Sequence, residues 1–266
     1  MPGAIETTRA LLLRSVDYRE SDRVVTLLTE RFGKRSALAR AARASKRRFG
    51  GALQPLCVLE VQLQRGRGEL ETLVTAQIKQ PFTRTLGDLA RMSAGFAGIE
   101  LLRELTGEHE ADPGLFALAV SFLVALDAGD CAPEPLGVCF AAALLAELGH
   151  APRLDRCGGC GKQPSSAQTA CFDPVQGTIV CRACGGASYR LPARVRERLG
   201  RAAAGDFSSA AAGEWSRLEE LRARRAIDAF VEARLGKALR APSLAAPASP
   251  RRSASGSHPR AVHEEP

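Results

Sequence analysis

The chain has 266 residues, 45% of them apolar and 25% charged, with a formal net charge of +8. That is enough apolar material to bury one large core or two modest ones, which excludes a purely disordered polyelectrolyte. The longest apolar runs, Leu115 to Leu126 and Leu136 to Leu148, fall short of the roughly 18–20 residues needed to cross a bilayer. Residues 1–14 lack the basic-then-apolar layout of a secretory leader, so a cytoplasmic protein with no membrane partner is expected. Eight cysteines in this length are too sparse for a disulfide scaffold and read as buried, metal-bound or free thiols.

The charge is zoned along the chain. Residues 1–80 carry 15 Lys and Arg against 8 Asp and Glu, residues 81–152 carry 3 against 10, and residues 153–240 carry 16 against 9. The first and third zones suit polyanions and the acidic middle does not. A biased genome explains the preference for Arg over Lys but not this zoning.

From the N-terminus, five extended segments are expected: Thr7 to Val16, Arg23 to Glu30, Arg35 to Arg40, Pro55 to Arg65 and Glu69 to Gln77. Val58, Glu60, Gln62 and Gln64 alternate with Leu59, Val61 and Leu63, as in a half-buried strand. Arg31-Phe32-Gly33-Lys34 and Arg65-Gly66-Arg67-Gly68 read as hairpin turns in which glycine supplies a positive φ. Five short strands in 1–80 predict a small closed barrel of the OB type, with an SH3-like barrel as the other possibility.

Beyond Pro81 the period becomes helical, giving an α+β multi-domain chain with a helical domain over 81–240. Leu86, Leu89, Phe96, Ile99, Leu102 and Leu105 form one apolar face that stops at Gly107, a C-terminal cap. Asp112-Pro113 opens a second helix that buries Phe116, Ala119, Phe122, Leu123 and Leu126. A third runs from Pro135 to Leu148, and short links imply a bundle. After an insert over 152–188, helices are expected over Pro192 to Ala204 and Trp215 to Leu239, the latter with a stripe of Leu218, Leu221, Ile227, Val231 and Leu235. Residues 241–266, rich in Pro, Ser, Ala and Arg, have little to bury and are expected to be disordered.

The insert carries Cys157-Gly158-Gly159-Cys160-Gly161 and Cys181-Arg182-Ala183-Cys184-Gly185. Two residues between thiolates let one tight turn aim both sulfurs at a common centre, and two such turns complete a tetrahedron of soft ligands suited to Zn2+. The segment resembles a zinc ribbon, and one structural zinc ion is the expected cofactor. A redox dithiol pair or an iron–sulfur cluster would use the same ligands but explains the flanking glycines less simply. Cys57, Cys131, Cys139 and Cys171 lack a partner at this spacing and are assigned to packing.

Lys34, Arg35, Arg40, Arg43, Lys46, Arg47 and Arg48 place seven positive charges in one acid-free stretch, and Arg14, Arg19 and Arg23 precede it on the barrel strands. These ten are the candidate DNA contacts, since a basic connection on a barrel face can follow a phosphate backbone. The bland reading is a solvated charge run. Tyr18, Phe32 and Phe49 are the barrel's only Phe or Tyr residues before Phe82, so phosphate contact should outweigh base stacking and sequence preference should be weak.

Together these pieces resemble the RecO family of bacterial recombination mediators. The resemblance runs through Tyr18-Arg19-Glu20-Ser21-Asp22-Arg23 into Val24 to Thr29, Phe32-Gly33-Lys34, Phe49-Gly50-Gly51-Ala52-Leu53-Gln54-Pro55, Glu100-Leu101-Leu102, the four cysteines and a late Arg-rich helix. It implies an N-terminal OB domain, a helical domain and a zinc-bearing module. The implied activities are binding single- and double-stranded DNA, annealing complementary strands and helping to load a RecA-type recombinase onto coated single strands. The implied partners are RecR and the C-terminal tail of the single-stranded DNA-binding protein. Where relatives often carry a glycine before the basic stretch, this chain has Ala41 and Ala42.

An enzyme would need a nucleophile with a base, or a metal with an open position. His109 and His150 follow helix ends, His258 and His263 fall in the last segment, and no phosphate-cradling glycine loop is present. A non-catalytic protein is therefore expected. The other reading is a zinc-ribbon RNA-binding or transcription-associated factor built on the same barrel.

Overall fold

A computed structural model describes residues 3–66, 70–165 and 167–237. Strands β1 (Ile5–Tyr18), β2 (Asp22–Thr29), β3 (Gly33–Ala39), β4 (Cys57–Gln64) and β5 (Glu71–Pro81) close a barrel in the order β1-β2-β3-β5-β4. A one-turn helix, α1 (Lys46–Phe49), lies between β3 and β4. This is the expected OB-type arrangement, with the only parallel pairing among its described strands, β3 with β5, closing the seam. Of the expected second hairpin turn, Arg67 and Gly68 lie outside the described residues, as does the segment 241–266.

The barrel strands bury both faces. Leu12, Leu27, Leu59, Val61 and Leu63 fill the interior, while Leu11, Leu13, Leu28 and Val58 point outward into a second core shared with the helices. That is why β1 reads Leu11-Leu12-Leu13 without alternation: one strand serves two cores. On this outer face the barrel meets α3 (Leu89–Leu105), which follows the short helix α2 (Thr83–Leu86).

The expected face of the first long helix is corrected here. Leu86, Leu89 and Phe96 are 42%, 68% and 42% exposed, whereas Ala94, Gly95, Ala97, Gly98, Ile99, Leu101 and Leu102 are buried. The small residues are the packing face. A Cβ on Gly98 would lie 2.4 Å from the Phe122 ring, and one on Gly95 2.7 Å from Leu56 Cδ2. The helix ends not at a left-handed Gly107 but at Leu105, where Thr106 Oγ1 donates to Leu102 O at 2.6 Å.

Helix α4 (Pro113–Ala128) starts as expected: Asp112 accepts from Leu115 N at 3.0 Å, and Pro113 sits in the first turn, where its missing N–H costs nothing. Helix α5 (Pro133–Glu147) is buried on all sides from Pro135 to Leu145, as an apolar run without a polar face must be. Phe122 and Phe140 stack at 4.0 Å between centroids. Truncating a fully buried Leu here, such as Leu144, costs about 2–5 kcal/mol in general.

Helices α6 (Ala193–Ala203), α7 (Phe207–Ala211) and α8 (Arg217–Leu235) complete the bundle around α5. Helix α7 has too short a period to read from sequence. The expected stripe on α8 is also corrected: Leu218 and Leu221 are exposed, and the buried face is Ala223, Ala226, Ile227, Phe230 and Val231. A reciprocal capping box between Ser216 and Glu219 fixes its start. The backbone N–H of Ser216 is the main reason the Glu219 carboxyl is held below its usual range.

Candidate metal centre and nucleic-acid interface

Between α5 and α6 the chain forms a four-stranded sheet ordered β6-β8-β7-β9, with β6 (Arg153–Cys157), β7 (Ala170–Asp173), β8 (Thr178–Val180) and β9 (Tyr189–Leu191). Parallel pairing of β6 with β8 brings the ends of two strands side by side, and each end carries one cysteine pair. Gly161 N–H donates to Cys157 O at 2.9 Å, and Gly186 N–H donates to Cys181 O at 3.0 Å, folding each pair into a tight knuckle. Gly161, Gly185 and Gly186 all take positive φ, as the sharp turns require.

The sulfurs of Cys157, Cys160, Cys181 and Cys184 lie within 4.8 Å of one another, a group that could hold a metal ion. Cys160 Sγ and Cys181 Sγ are 3.7 Å apart. Thiolates at about 2.3 Å around a tetrahedral zinc ion would stand roughly 3.8 Å apart, so the donor set fits one such ion. The Cys181 N–H donates to Cys157 Sγ at 3.3 Å and is the first cause holding that thiol down to about 6. The Cys184 S–H is held by the neighbouring sulfurs of Cys181, Cys160 and Cys157, which accept from it and push this thiol up to about 12. One negative sulfur thus opposes the next, an opposition that a divalent cation removes.

Cys171 lies on β7, outside the group of four. Burial raises the Cys57 thiol to about 11 and the Cys139 thiol to about 12, in keeping with inert core thiols.

The ten candidate DNA-contacting residues separate into two sets. Lys34 and Arg35 are committed within the fold. Lys34 Nζ donates to Arg103 O at 3.0 Å and to Thr106 O, capping the C-terminus of α3. Arg35 pairs with Glu71 at 3.0 Å and donates to Phe32 O at 2.9 Å.

Most of the others gather at the opposite end of β2 and β3. Arg19 occupies the β1–β2 turn with φ 55, its guanidinium 5.1 Å from the exposed Tyr18 ring. Arg23 Nε donates to Asp17 at 2.9 Å, and Arg43 lies 4.0 Å from the same carboxylate. Arg14, Arg40 and Arg47 are exposed. Arg48 is partly engaged, donating to Ser45 Oγ and to Arg40 O at 2.8 Å. The side chain of Lys46 lies outside the described residues.

Two hydrogen bonds join the basic connection to the β1–β2 turn. Ala41 N–H donates to Asp22 Oδ1 at 2.7 Å, and Arg43 N–H donates to Ser21 O at 3.1 Å. Sequence reading passed over Asp22 as a positioning residue. Its signal was the Ser21-Asp22 pair in a turn, where a short acidic side chain commonly accepts a backbone N–H.

Two family models match the chain, the recombination protein O N-terminal domain over residues 1–82 and the C-terminal domain over residues 86–242. A curated relative from Anaeromyxobacter sp. (strain K), named DNA repair protein RecO, is 40% identical over 235 residues, covering 87% of this chain and 92% of its own. Relatives of the same name from Myxococcus xanthus and Geobacter sulfurreducens are 44% and 42% identical over 176 residues, each covering 66% of this chain and 71% of their own.

The chain belongs to the RecO family. The two RecO models meet where β5 gives way to α2, and the sulfur cluster falls within the second. Ala41, at the head of the basic connection, takes φ 51. The backbone there requires the left-handed region, which glycine enters freely and alanine only at a cost of about 1–2 kcal/mol. Among the described residues of this RecO chain, no helix is long and apolar enough to cross a membrane.

Proposed function

We propose that this chain is a cytoplasmic, non-catalytic mediator of DNA repair and homologous recombination. It binds single- and double-stranded DNA at the basic end of the barrel and anneals complementary strands. With RecR and the tail of the single-stranded DNA-binding protein as partners, it helps load a RecA-type recombinase.

The observation that carries this reading is that Arg19 in the β1–β2 turn, Arg23 at the start of β2 and Arg40 and Arg43 beyond β3 share one end of the barrel, tied through Asp22 and Ser21, with Arg47 exposed in the same β3–β4 connection. Three acids lie at this end: Asp17, shared by Arg23 and Arg43, Asp22, which accepts from Ala41 N–H, and exposed Glu20, so the five arginines leave a surplus of guanidinium groups for phosphates. Exposed Tyr18 offers one stacking face, so affinity should depend on salt more than on sequence.

The metal proposed for the four cysteines is one zinc ion. Four thiolates leave no open coordination position, so zinc supplies folding energy to the module and not Lewis acidity.

The test is annealing of complementary oligonucleotides coated with the single-stranded DNA-binding protein, comparing wild type with Arg40→Ala/Arg43→Ala/Arg47→Ala. Arg48 is spared because it ties the loop to Arg40 O. The variant should lose annealing, and its salt slope for single strands should fall by about 2, at roughly 0.7 per phosphate contact. A folded wild type that neither binds nor anneals DNA at low salt would overturn the reading, and a strong preference for RNA would favour a transcription-associated role.

A further inference from the structure

A second basic feature lies in the metal module, away from the barrel connections. A cleft of about 720 Å³ opens beside the cysteine knuckles, lined by Cys171, Ile179 and Val180 of the sheet and by residues of both cysteine turns. Its size falls in the range of about 300–1,000 Å³ typical of ligand sites. Three cations stand around it on three separate segments: Lys162 just beyond the first knuckle, Arg182 inside the second, and Arg190 on β9. All three are exposed, and among the described residues none of them is in an ion pair.

Among the described residues, no carboxylate lines the cleft. The nearby acids are occupied elsewhere, Asp155 by Arg156 at 2.7 Å and Asp173 by the N–H groups of Val175 and Gln176. Cations on several sides of one opening, with no acid between them, favour a ligand carrying more than one negative charge. The amide and hydroxyl residues Gln163, Gln168, Thr169 and Ser188 share the lining with apolar ones. A strand of nucleic acid presents that combination: phosphates spaced along a backbone, with base edges that both donate and accept hydrogen bonds.

We infer that this cleft is a second binding site for a single-stranded nucleic acid, separate from the basic end of the barrel. The inference rests on the DNA-binding reading above and deepens it, because a protein with two strand sites can hold two single strands at once. Among the described residues, no aromatic side chain lines the cleft, so binding runs through phosphates and carries little sequence preference. The metal shapes the site by holding both knuckles in place, and the ligand touches the cations and not the ion.

The test measures anisotropy of a labelled single-stranded oligonucleotide over a salt series, using full-length, metal-loaded protein. Lys162→Ala/Arg182→Ala/Arg190→Ala is compared with wild type, with the barrel variant Arg40→Ala/Arg43→Ala/Arg47→Ala, and with the two combined. Metal content and the melting curve confirm that each variant is folded. Because Arg182 sits between two ligands, Lys162→Glu/Arg190→Glu serves as a second variant that leaves that knuckle untouched.

The expected result is a salt slope lower by about 2 for the module variant, from three phosphate contacts at roughly 0.7 each. The barrel variant should keep residual binding that the combined variant loses. If the combined variant binds as well as the barrel variant alone, the cleft is not a strand site, although the barrel reading stands. If an acidic peptide displaces no DNA but binds the cleft in a manner abolished by the same substitutions, a protein partner replaces nucleic acid there. Failure of wild type to bind DNA at any salt would sink both proposals.

Discussion

Gly33 offers a measure of how firmly the barrel is fixed to the helices. It takes φ 69, and a Cβ built on it would lie 2.1 Å from Glu110 O and 2.4 Å from the Glu110 carbonyl carbon. Both atoms are backbone, so no rotamer change relieves the clash. Gly51 also takes a positive φ, 82, but its nearest neighbour would be the flexible Gln54 Nε2 at 3.7 Å. Gly51→Ala therefore costs only the left-handed penalty of about 1–2 kcal/mol. Gly33→Ala carries the same penalty and must also push the hairpin away from the segment 107–110. That breaks the bond from His109 N–H to Lys34 O at 3.0 Å and those from Lys34 Nζ to Arg103 O and Thr106 O. Adding roughly 1 kcal/mol for the neutral bond and about 1.5–3 kcal/mol for each of the two charge-assisted ones gives about 5 kcal/mol or more. The assay is urea unfolding followed by far-UV circular dichroism and by fluorescence of Trp215, the chain's one tryptophan. Unchanged slopes would let the midpoints report stability. Lys34→Met should cost little more in the Gly33→Ala background, because its bonds are already broken. Equal midpoints for the two glycine variants would refute this account of the junction.

Three further outcomes are expected. Ala41→Gly should stabilise the protein by about 1 kcal/mol, the relief of left-handed strain less the entropy of glycine, seen as a raised melting temperature; a lowered one would show that Ala41 is not strained. Burial raises the Asp228 carboxyl from 3.8 to about 6 despite Arg224 at 3.8 Å. The folded state therefore binds this proton more tightly than the unfolded state, and the penalty for a charged Asp228 is present above pH 6 and relieved as pH falls from 6 towards 4. Asp228→Asn should flatten that window by on the order of 2 kcal/mol in unfolding free energy, and a parallel pH profile would refute the assignment. Cys160→Ser should abolish metal binding by elemental analysis and speed hydrogen exchange over β6 to β9 while sparing the barrel; unchanged exchange in the module would show that the sulfurs do not organise it.

The barrel and the cysteine knuckles were legible because their signals are local. Strand alternation around Leu59, Val61 and Leu63, glycine at the Gly33 turn, and paired thiols at fixed spacing need no knowledge of distant residues. The helical faces were less legible because packing there favours small residues. Gly95 and Gly98 face Leu56 and Phe122 at distances that admit no side chain, so a search for large apolar residues turned α3 the wrong way and put Leu89 and Phe96 inside. On α8 the same error favoured Leu218 over Ala223. Phe230, missed on that helix, packs edge-on against Phe172 at 5.6 Å, from a strand 58 residues earlier, a partner that no local period reveals. The candidate basic residues were found by composition, but composition could not separate Lys34 and Arg35, used in holding the fold together, from Arg40, Arg43 and Arg47, left facing solvent.

The Gly33 junction also bears on how an acidic helical region and a polyanion share one molecule. The backbone of Glu108 forms a β-bridge with Lys34 and that of Glu110 abuts Gly33, both at the far end of β2 and β3 from Arg23 and Arg40. Strand β2 runs from Asp22 to Thr29, about 23 Å at a rise of roughly 3.3 Å per residue. The Debye length is only about 8 Å at physiological ionic strength. The strands therefore act as an electrostatic spacer: the segment carrying these two acids joins the barrel nearly three screening lengths along β2 from the end where the guanidinium groups gather, and over such a separation mobile ions mute its repulsion of any phosphate held there.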